Sequence, residues 1–294
     1  MTAAAAGAGR APAAEELFTG ESGSPGRRRR RLLMAAADRL LDARLRLSAA
    51  KLDELASAAP RREVLVVSAY RGDGGFLPVA IDELRGTRHS LRVALGAMDE
   101  PSAALREETV AASLAGGKFE NLNAVLAAAG AEPDWTLVVD DDVALPPRFL
   151  DRFLGVCERL DLTLAQPAQT LRSFAAWRVT RRRAGSLARE TRFVEIGPVT
   201  AFARPAAAEL LPFEPLRYGW GLDLHWAAIA AERGWRLGVV DAVPVRHEHA
   251  AVAASYSSDE AIEEARRFLA GRPFVDSTTA LQTVRTHPLS TALR

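Results

Sequence analysis

Three carboxylates stand in a row, Asp140, Asp141 and Asp142, directly behind the apolar run Thr136-Leu137-Val138-Val139. Adjacent anions repel, so such a cluster calls for a counter-charge, and a hard cation with oxygen ligands is the natural one. Along an extended chain Asp140 and Asp142 point to one side and Asp141 to the other. Asp142 and Asp140 are therefore the metal and ribose-side candidates, with both within reach of the metal, and Asp141 is assigned a structural part. Mn²⁺ or Mg²⁺ suits this arrangement, because each bridges carboxylates to diphosphate oxygens. The alternative is an N-cap for the helix expected from Pro147, but one aspartate would serve that purpose. His247, far downstream, is placed to be a neutral imidazole ligand that completes the metal's shell. His249 falls on the same side of an extended chain, so the two histidines are not ordered.

A second carboxylate with chemical prospects is Asp223, in the turn Gly219-Trp220-Gly221-Leu222-Asp223 at the start of an expected helix. A general base for an acceptor hydroxyl must sit in a cleft within hydrogen-bond reach of it, and the flanking glycines permit close approach. The competing role is stabilisation of the helix dipole. Trp220 and Trp226 would supply flat faces for a sugar ring. In the first half, Ser68-Ala69-Tyr70-Arg71 leads into Gly72, Gly74 and Gly75. That loop offers backbone N–H groups to an anion and Tyr70 to a base, although it matches neither common phosphate-loop pattern and reads equally as a surface turn. Asp99 stands where a carboxylate accepts the N–H of a uracil ring, or caps the next segment. Lys118, Asn121 and Asn123 bring one cation and two amides to a phosphate or ribose, with helix capping as the alternative use of an asparagine. Arg178, Arg181, Arg182, Arg183, Arg189 and Arg192 form a basic cluster, read as a mobile lid, an acceptor-binding loop or a solvated stretch.

The elements that must position these residues follow from hydrophobic periodicity. Val64–Ser68, Leu91–Leu95, Thr136–Val139 and Leu162–Ala165 are short runs of the kind buried in a parallel sheet. Between them lie expected helices near Pro78–Leu84, Ala104–Ala115, Asn121–Ala129 and Pro147–Leu160. This alternation predicts an α/β fold with a mixed, mainly parallel sheet flanked by helices. Ligands of such sheets gather at the carboxyl ends of the strands, where the aspartate triplet stands. Further on, Arg192–Ile196, Val199–Ala203, Leu237–Val240 and Pro244–His247 read as strand pieces and Gly221–Glu232 as a helix. Residues 1–26, rich in Ala, Gly, Ser and Pro, read as a disordered leader. Residues 27–60 read as an amphipathic helical extension closed by Pro60, with leucines at helical spacing among charges. It would pack on the main domain, on a second copy, or on a membrane surface through Arg27–Arg31. Residues 61–250 form the main domain, and 251–294 a helix over Ala261–Leu269 followed by an irregular tail.

Bulk properties narrow the classes. The 294 residues carry 38 Lys and Arg against 37 Asp and Glu, a net charge of +1, which gives no reason to expect nucleic acid as a partner. Cys157 is the one cysteine, so no intrachain disulfide forms and a reducing compartment fits. No apolar run approaches the roughly 20 residues of a membrane span, and no signal peptide is expected. A cytoplasmic protein follows, with the option of a peripheral place at the inner face of the membrane.

The order of triplet, carboxylate in a GWGLD turn and late histidine resembles the GT-A-fold glycosyltransferases, including the large family-two group. More narrowly, Gln166-Pro167-Ala168, Trp177-Arg178-Val179-Thr180, Phe193-Val194-Glu195-Ile196-Gly197-Pro198-Val199, Gly219–Asp223 and Gly238-Val239-Val240-Asp241 resemble a poorly characterised glycosyltransferase-like family of plants and bacteria. The resemblance spans about Val64 to His249. It implies a nucleotide-binding first half, a metal at Asp140 and Asp142, an acceptor-side half around Glu195 and Asp223, and His247 near the diphosphate. The chain departs from the family in carrying Asp-Asp-Asp instead of a spaced Asp-Glu-Asp. The expected activity is metal-assisted transfer of a hexose from a UDP- or GDP-sugar to a hydroxyl of a carbohydrate, lipid or small molecule. Asp223 would act as base if the anomeric centre inverts. Two alternatives stay open: a sugar-1-phosphate nucleotidyltransferase, and a non-catalytic nucleotide-sugar-binding module.

Overall fold

A computed structural model describes residues 28–247 and 257–292. The leader at 1–26 and His249 lie outside the described residues. The first four strands are β1 (Glu63–Tyr70), β2 (Ser90–Ala97), β3 (Thr109–Ala111) and β4 (Trp135–Val139). A two-residue strand, β5 (Val143–Ala144), follows, then β6 (Leu164–Gln169), β7 (Ser186–Thr191), β8 (Val199–Ala203), β9 (Leu237–His247) and β10 (Thr283–Pro288). They lie side by side in the order β10-β7-β9-β6-β8-β4-β1-β2-β3, with β5 paired to β9 off this path. The sheet is mixed. β4, β1, β2 and β3 run parallel, and β6 runs parallel to β9. β8 joins these two groups by antiparallel pairing with β4 and β6, and β7 and β10 complete the far edge antiparallel.

Helices cover both faces: α1 (Arg28–Arg46), α2 (Ala49–Ala58), α3 (Leu77–Arg85), α4 (Lys118–Ala129), α5 (Phe149–Leu160), α6 (Arg204–Leu210), α7 (Leu222–Arg233) and α8 (Ser258–Leu269). Alternate residues of a strand face opposite sides, and β1 divides its side chains accordingly. Leu65 and Val67 join one buried cluster with Phe119, Leu122 and Trp226, contributed by α4 and α7. Val64 and Val66 join the other, with Leu137, Phe149 and Phe153 under α5. All five residues of β4 are buried, so the triplet behind it is anchored in the middle of the sheet.

The N-terminal extension is two helices, because the chain turns at Leu47–Ser48. The second of them, α2, lies on α5 through its buried Leu52 and Ala56. Gly155 makes that approach close: a Cβ there would stand 2.8 Å from the Ala56 Cα. Asp53 fastens the contact with ion pairs to Arg148 (3.1 Å) and Arg152 (2.7 Å).

Four expectations are corrected. Ala104–Ala115 is a loop with β3 inside it, because Thr109 and Ala111 pair with β2 and the Thr109 hydroxyl meets Tyr70. Tertiary pairing overrides helix propensity there. Arg192–Ile196 is irregular, and the strand lies just before it, as β7. The two pieces expected at Leu237–Val240 and Pro244–His247 form one strand, since Pro244 lies in the stretch past Val240, where β9's ladder with β6 shifts register. The tail also contains β10, paired with β7 from Thr283 to Pro288. Among the described residues, no helix is long and apolar enough to cross a membrane.

Candidate metal and acceptor site

The carboxyl end of β4 delivers Asp140 and Asp142, and the end of β9 delivers His247, held against this edge by the pairing of Val143 with His247. Ligand atoms of the three side chains lie within 4.8 Å of one another. The His247 Nε2 is 3.0 Å from an Asp142 carboxylate oxygen. Its other ring nitrogen faces the Phe174 carbonyl at 3.3 Å, and its backbone N–H donates to the Ser173 hydroxyl at 3.1 Å. A carbonyl at Nδ1 fixes the ring and leaves Nε2 for the partner in front of it. Burial alone would lower the His247 pKa. The hydrogen bond and charge of Asp142, with Asp140 and the Phe174 carbonyl, outweigh it and raise the value to about 9. Burial likewise opposes ionisation of Asp142, but His247 holds that carboxyl below the usual range.

Asp140 is held differently. Its carboxylate pairs with Lys118 at 2.6 Å, and its backbone N–H donates to the Pro198 carbonyl. Gly197 faces this pair, and a Cβ there would stand 2.8 Å from the Asp140 carboxylate and 3.2 Å from the Lys118 ammonium. Asp141 turns away, toward the first loop. Its carbonyl accepts from Phe76, and burial together with Asp140 and Asp142 raises its carboxyl to about 6. A divalent cation fits the donor set of two carboxylates and one imidazole, which are the ligand types of Mn²⁺ and related ions.

Asp223 sits in the first turn of α7, only 5 % exposed, and accepts the Leu224 N–H at 3.0 Å. Burial, then the charge of Glu195, raises its carboxyl to about 8. Glu195, also buried, accepts hydrogen bonds from the Gln169 amide (2.8 Å) and the Thr180 hydroxyl (3.0 Å). Burial is the main cause that lifts it to about 7, against Thr180 and His247, which lower it. The Gln166 side-chain carbonyl accepts the Glu195 backbone N–H. Two carboxyls thus share one dry corner with raised affinities for protons, the environment in which a group at neutral pH exchanges a proton readily. Gly219 makes the preceding turn. Its φ is +75°, and a Cβ there would lie 1.9 Å from the Phe119 ring, so the turn packs directly on the start of α4 beside Lys118.

The structure therefore gathers Asp140, Asp142, His247 and Lys118 at one strand edge, and Glu195 with Asp223 in a buried pair; Glu195 also feels the charges of His247 and Lys118. Asp99 is exposed beside the first loop, where its carboxylate accepts the Gly72 N–H, and Arg71 is exposed on the same loop. Other candidates are corrected. Tyr70 is 1 % exposed and its hydroxyl bonds Thr109, so its ring is core and offers no stacking face. Ser68 is fully buried inside β1. Asn121 spends its amide on both the N–H and the carbonyl of Gly116, and Asn123 does the same with Phe213. Both amides are engaged with backbone groups, Asn121 within its own turn and Asn123 across to the segment at Phe213. Trp226 is buried against Phe202 and Phe213, whereas Trp220 is half-buried at the turn.

The arginine cluster is no mobile lid. Arg189, 1 % exposed, reaches both oxygens of the buried Asp241 at 2.8 and 2.9 Å, and Arg182 pairs with Asp38 and Asp42 of α1. The residues that sequence reasoning left unassigned are the supports: Gln166, Gln169 and Thr180 around Glu195, and Ser173 and Phe174 behind His247. Gln166 and Thr180 stand inside motifs quoted above, which was their one signal.

No family model matches the chain, and no curated protein does. Among solved structures it is similar to TarS of S. aureus (residues 1–349, in complex with UDP-GlcNAc), with a TM-score of 0.50 and 14% identity over 70% of this chain. The match spans 65% of the TarS chain, less than two thirds of its length. Weaker likenesses reach a mycobacterial protein (TM-score 0.48, 15% identity, 81% of this chain and 87% of the other) and GalNAc-T7 (TM-score 0.48, 13% identity, 64% and 44%). At 14% identity the likeness to TarS establishes the fold alone: a GT-A-type mixed α/β domain, the class its motifs resemble.

Proposed function

We propose that this chain is a metal-dependent glycosyltransferase that moves a sugar from a nucleotide-diphosphate sugar to a hydroxyl acceptor with inversion. The observation that carries the reading is the convergence of Asp140, Asp142 and His247 within 4.8 Å at the strand edge where GT-A ligands gather. TarS, in complex with UDP-GlcNAc, supports a UDP-linked donor within the UDP or GDP pair. Asp140, Asp142 and His247 would hold Mn²⁺ or Mg²⁺, which when bound offsets charge on the leaving diphosphate. Lys118 adds a fixed positive charge beside them. Asp99, near the Gly72 turn, is the candidate to accept an N–H of the donor's nucleobase, and the half-buried Trp220 the candidate to face the sugar.

In this account Asp223 accepts the proton of the acceptor hydroxyl as its oxygen bonds to the anomeric carbon and the bond from that carbon to the diphosphate oxygen breaks. A carboxyl raised to about 8 by its buried site is a stronger base, once ionised, than one in water. Glu195, held in place by Gln169 and Thr180, is the buried neighbour whose charge helps raise Asp223, and it shapes the acceptor side. The catalytic domain assigned to residues 61–250 includes all of these groups.

The experiment is a panel of nucleotide-sugars incubated with the protein and Mn²⁺, followed by nucleoside diphosphate release. Release from one donor supports the proposal. Pyrophosphate from a sugar phosphate and a nucleoside triphosphate would establish the nucleotidyltransferase instead. Mn²⁺-dependent binding without release from any donor would establish a binding module.

A further inference from the structure

One surface is unused by the chemistry above: the outer face of α1. Its inner face is committed. Asp38, 5 % exposed, accepts the backbone N–H groups of Leu171 and Arg172 and pairs with the buried Arg182. Opposite that contact, Leu33, Ala36, Leu40, Ala43 and Leu47 recur at steps of three and four, which aligns them along one side of a helix. Leu33 is 72 % exposed, Leu40 55 %, and Leu47, just past the helix end, 88 %; Leu32 beside them is 63 % exposed. From Arg30 to Arg46, the exposed positions of α1 hold only arginine, leucine and alanine. Arg39 and Arg46 border the apolar stripe on one side, and Arg44 and Arg30 on the other, as the helical angle of about 100° per residue places them. The two acids of the helix, Asp38 and Asp42, are turned to Arg182.

We infer that this face docks on an anionic lipid bilayer, with the leucines in the interface and the arginines among the headgroups. An apolar stripe between two cationic rows, on a helix too polar to span, is the pattern of a helix that lies in the membrane surface. A second copy of α1 is the poorer occupant. Stripes at this spacing do pair in coiled coils, but here the flanking rows would set arginine against arginine. Docking would also be mechanically joined to the site, since Asp38 holds the loop that follows β6. The same loop supplies Ser173 and Phe174 to His247. This inference stands apart from the proposed transfer reaction and survives its failure.

The test is co-sedimentation of the full chain with vesicles of phosphatidylserine and phosphatidylcholine, and with phosphatidylcholine alone. Binding is expected to the first and not the second, and to weaken with added salt. Arg39→Gln with Arg44→Gln should reduce it by about tenfold or more, as loss of two charges near an anionic surface implies. Leu33→Gln with Leu40→Gln should reduce it comparably. All four positions are exposed, so the melting midpoint should hold, and a variant whose midpoint falls is replaced by the single Leu40→Gln. Equal binding to both vesicle types, or binding that both double variants leave unchanged, overturns the inference. So does a concentration-dependent dimer in sedimentation velocity that Leu40→Gln dissolves, which would make a second copy the occupant.

Discussion

The Nε2 of His247, at the end of β9, stands 3.0 Å from the carboxylate of Asp142, which lies in the turn between β4 and β5. Without a metal this contact is an ion pair, because Asp142 raises His247 to about 9 and His247 holds Asp142 low. A metal needs the same imidazole neutral, so binding must expel the proton.

Proton release is the first prediction. Mn²⁺ binding at pH 7 should release about one proton per ion, and affinity should climb as pH rises toward about 9. Calorimetry in buffers of different ionisation enthalpy reads the release. Asp142→Asn and His247→Ala should each weaken Mn²⁺ by at least about 10- to 100-fold, the loss usual even for groups one step further from a metal. Binding unchanged in both variants would remove the metal assignment.

Asp223→Asn tests the base. Turnover should fall by about 10²–10⁴-fold while the donor dissociation constant stays put. Full activity in this variant would assign Asp223 to the helix dipole alone.

The same residue sets a pH dependence with opposite signs for activity and stability. Asp223 is raised from 3.8 to about 8 in the fold, so the native state holds its proton more tightly than the unfolded chain does. Its contribution to stability is complete below about pH 4 and is lost as pH rises toward 8. His247, raised from 6.5 to about 9, acts in the same direction over pH 6.5 to 9 in metal-free protein. Activity through Asp223 should instead rise over the upper part of that range. Urea melts of wild type and Asp223→Asn between pH 5 and 9 check this: the variant should show the flatter profile. A wild-type midpoint that climbs with pH would contradict the sign.

Arg189 and Asp241 form the most deeply buried ion pair described here, 1 % and 0 % exposed at their side chains. Removing one partner leaves the other charged and unpaired, so Arg189→Ala should cost about 3–5 kcal/mol in chemical denaturation. A loss below about 1 kcal/mol would mean that water reaches Asp241 and that the pair is a surface feature after all.

Much of this fold was legible in the sequence because each half of it repeats a local rule. The runs at Val64 and Thr136 are rich in valine and leucine, as strands covered on both faces tend to be. The meeting of Asp140, Asp142 and His247 at one strand edge was legible for a related reason: adjacent carboxylates behind a buried strand need a counter-charge. What failed was whatever depends on a distant partner. Asn121 and Asn123 have the same composition as phosphate ligands, and only Gly116 and Phe213 reveal them as fasteners. Tyr70 looked like a stacking ring until Thr109 arrived from a segment that itself read as helix. Arg182 and Arg189 could be read as solvated because the acids that hold them, Asp38, Asp42 and Asp241, lie far away in the sequence.

In the proposed function the metal set and Asp223 serve one transfer reaction. The measurement that meets it most directly is nucleoside diphosphate release from a UDP-sugar, with Mn²⁺ and with chelator, for wild type, Asp142→Asn and Asp223→Asn. Wild type should release the diphosphate only with Mn²⁺, Asp142→Asn should lose both donor binding and release, and Asp223→Asn should bind donor without release. Release by wild type that persists at full rate in chelator, or in both variants, would contradict that function.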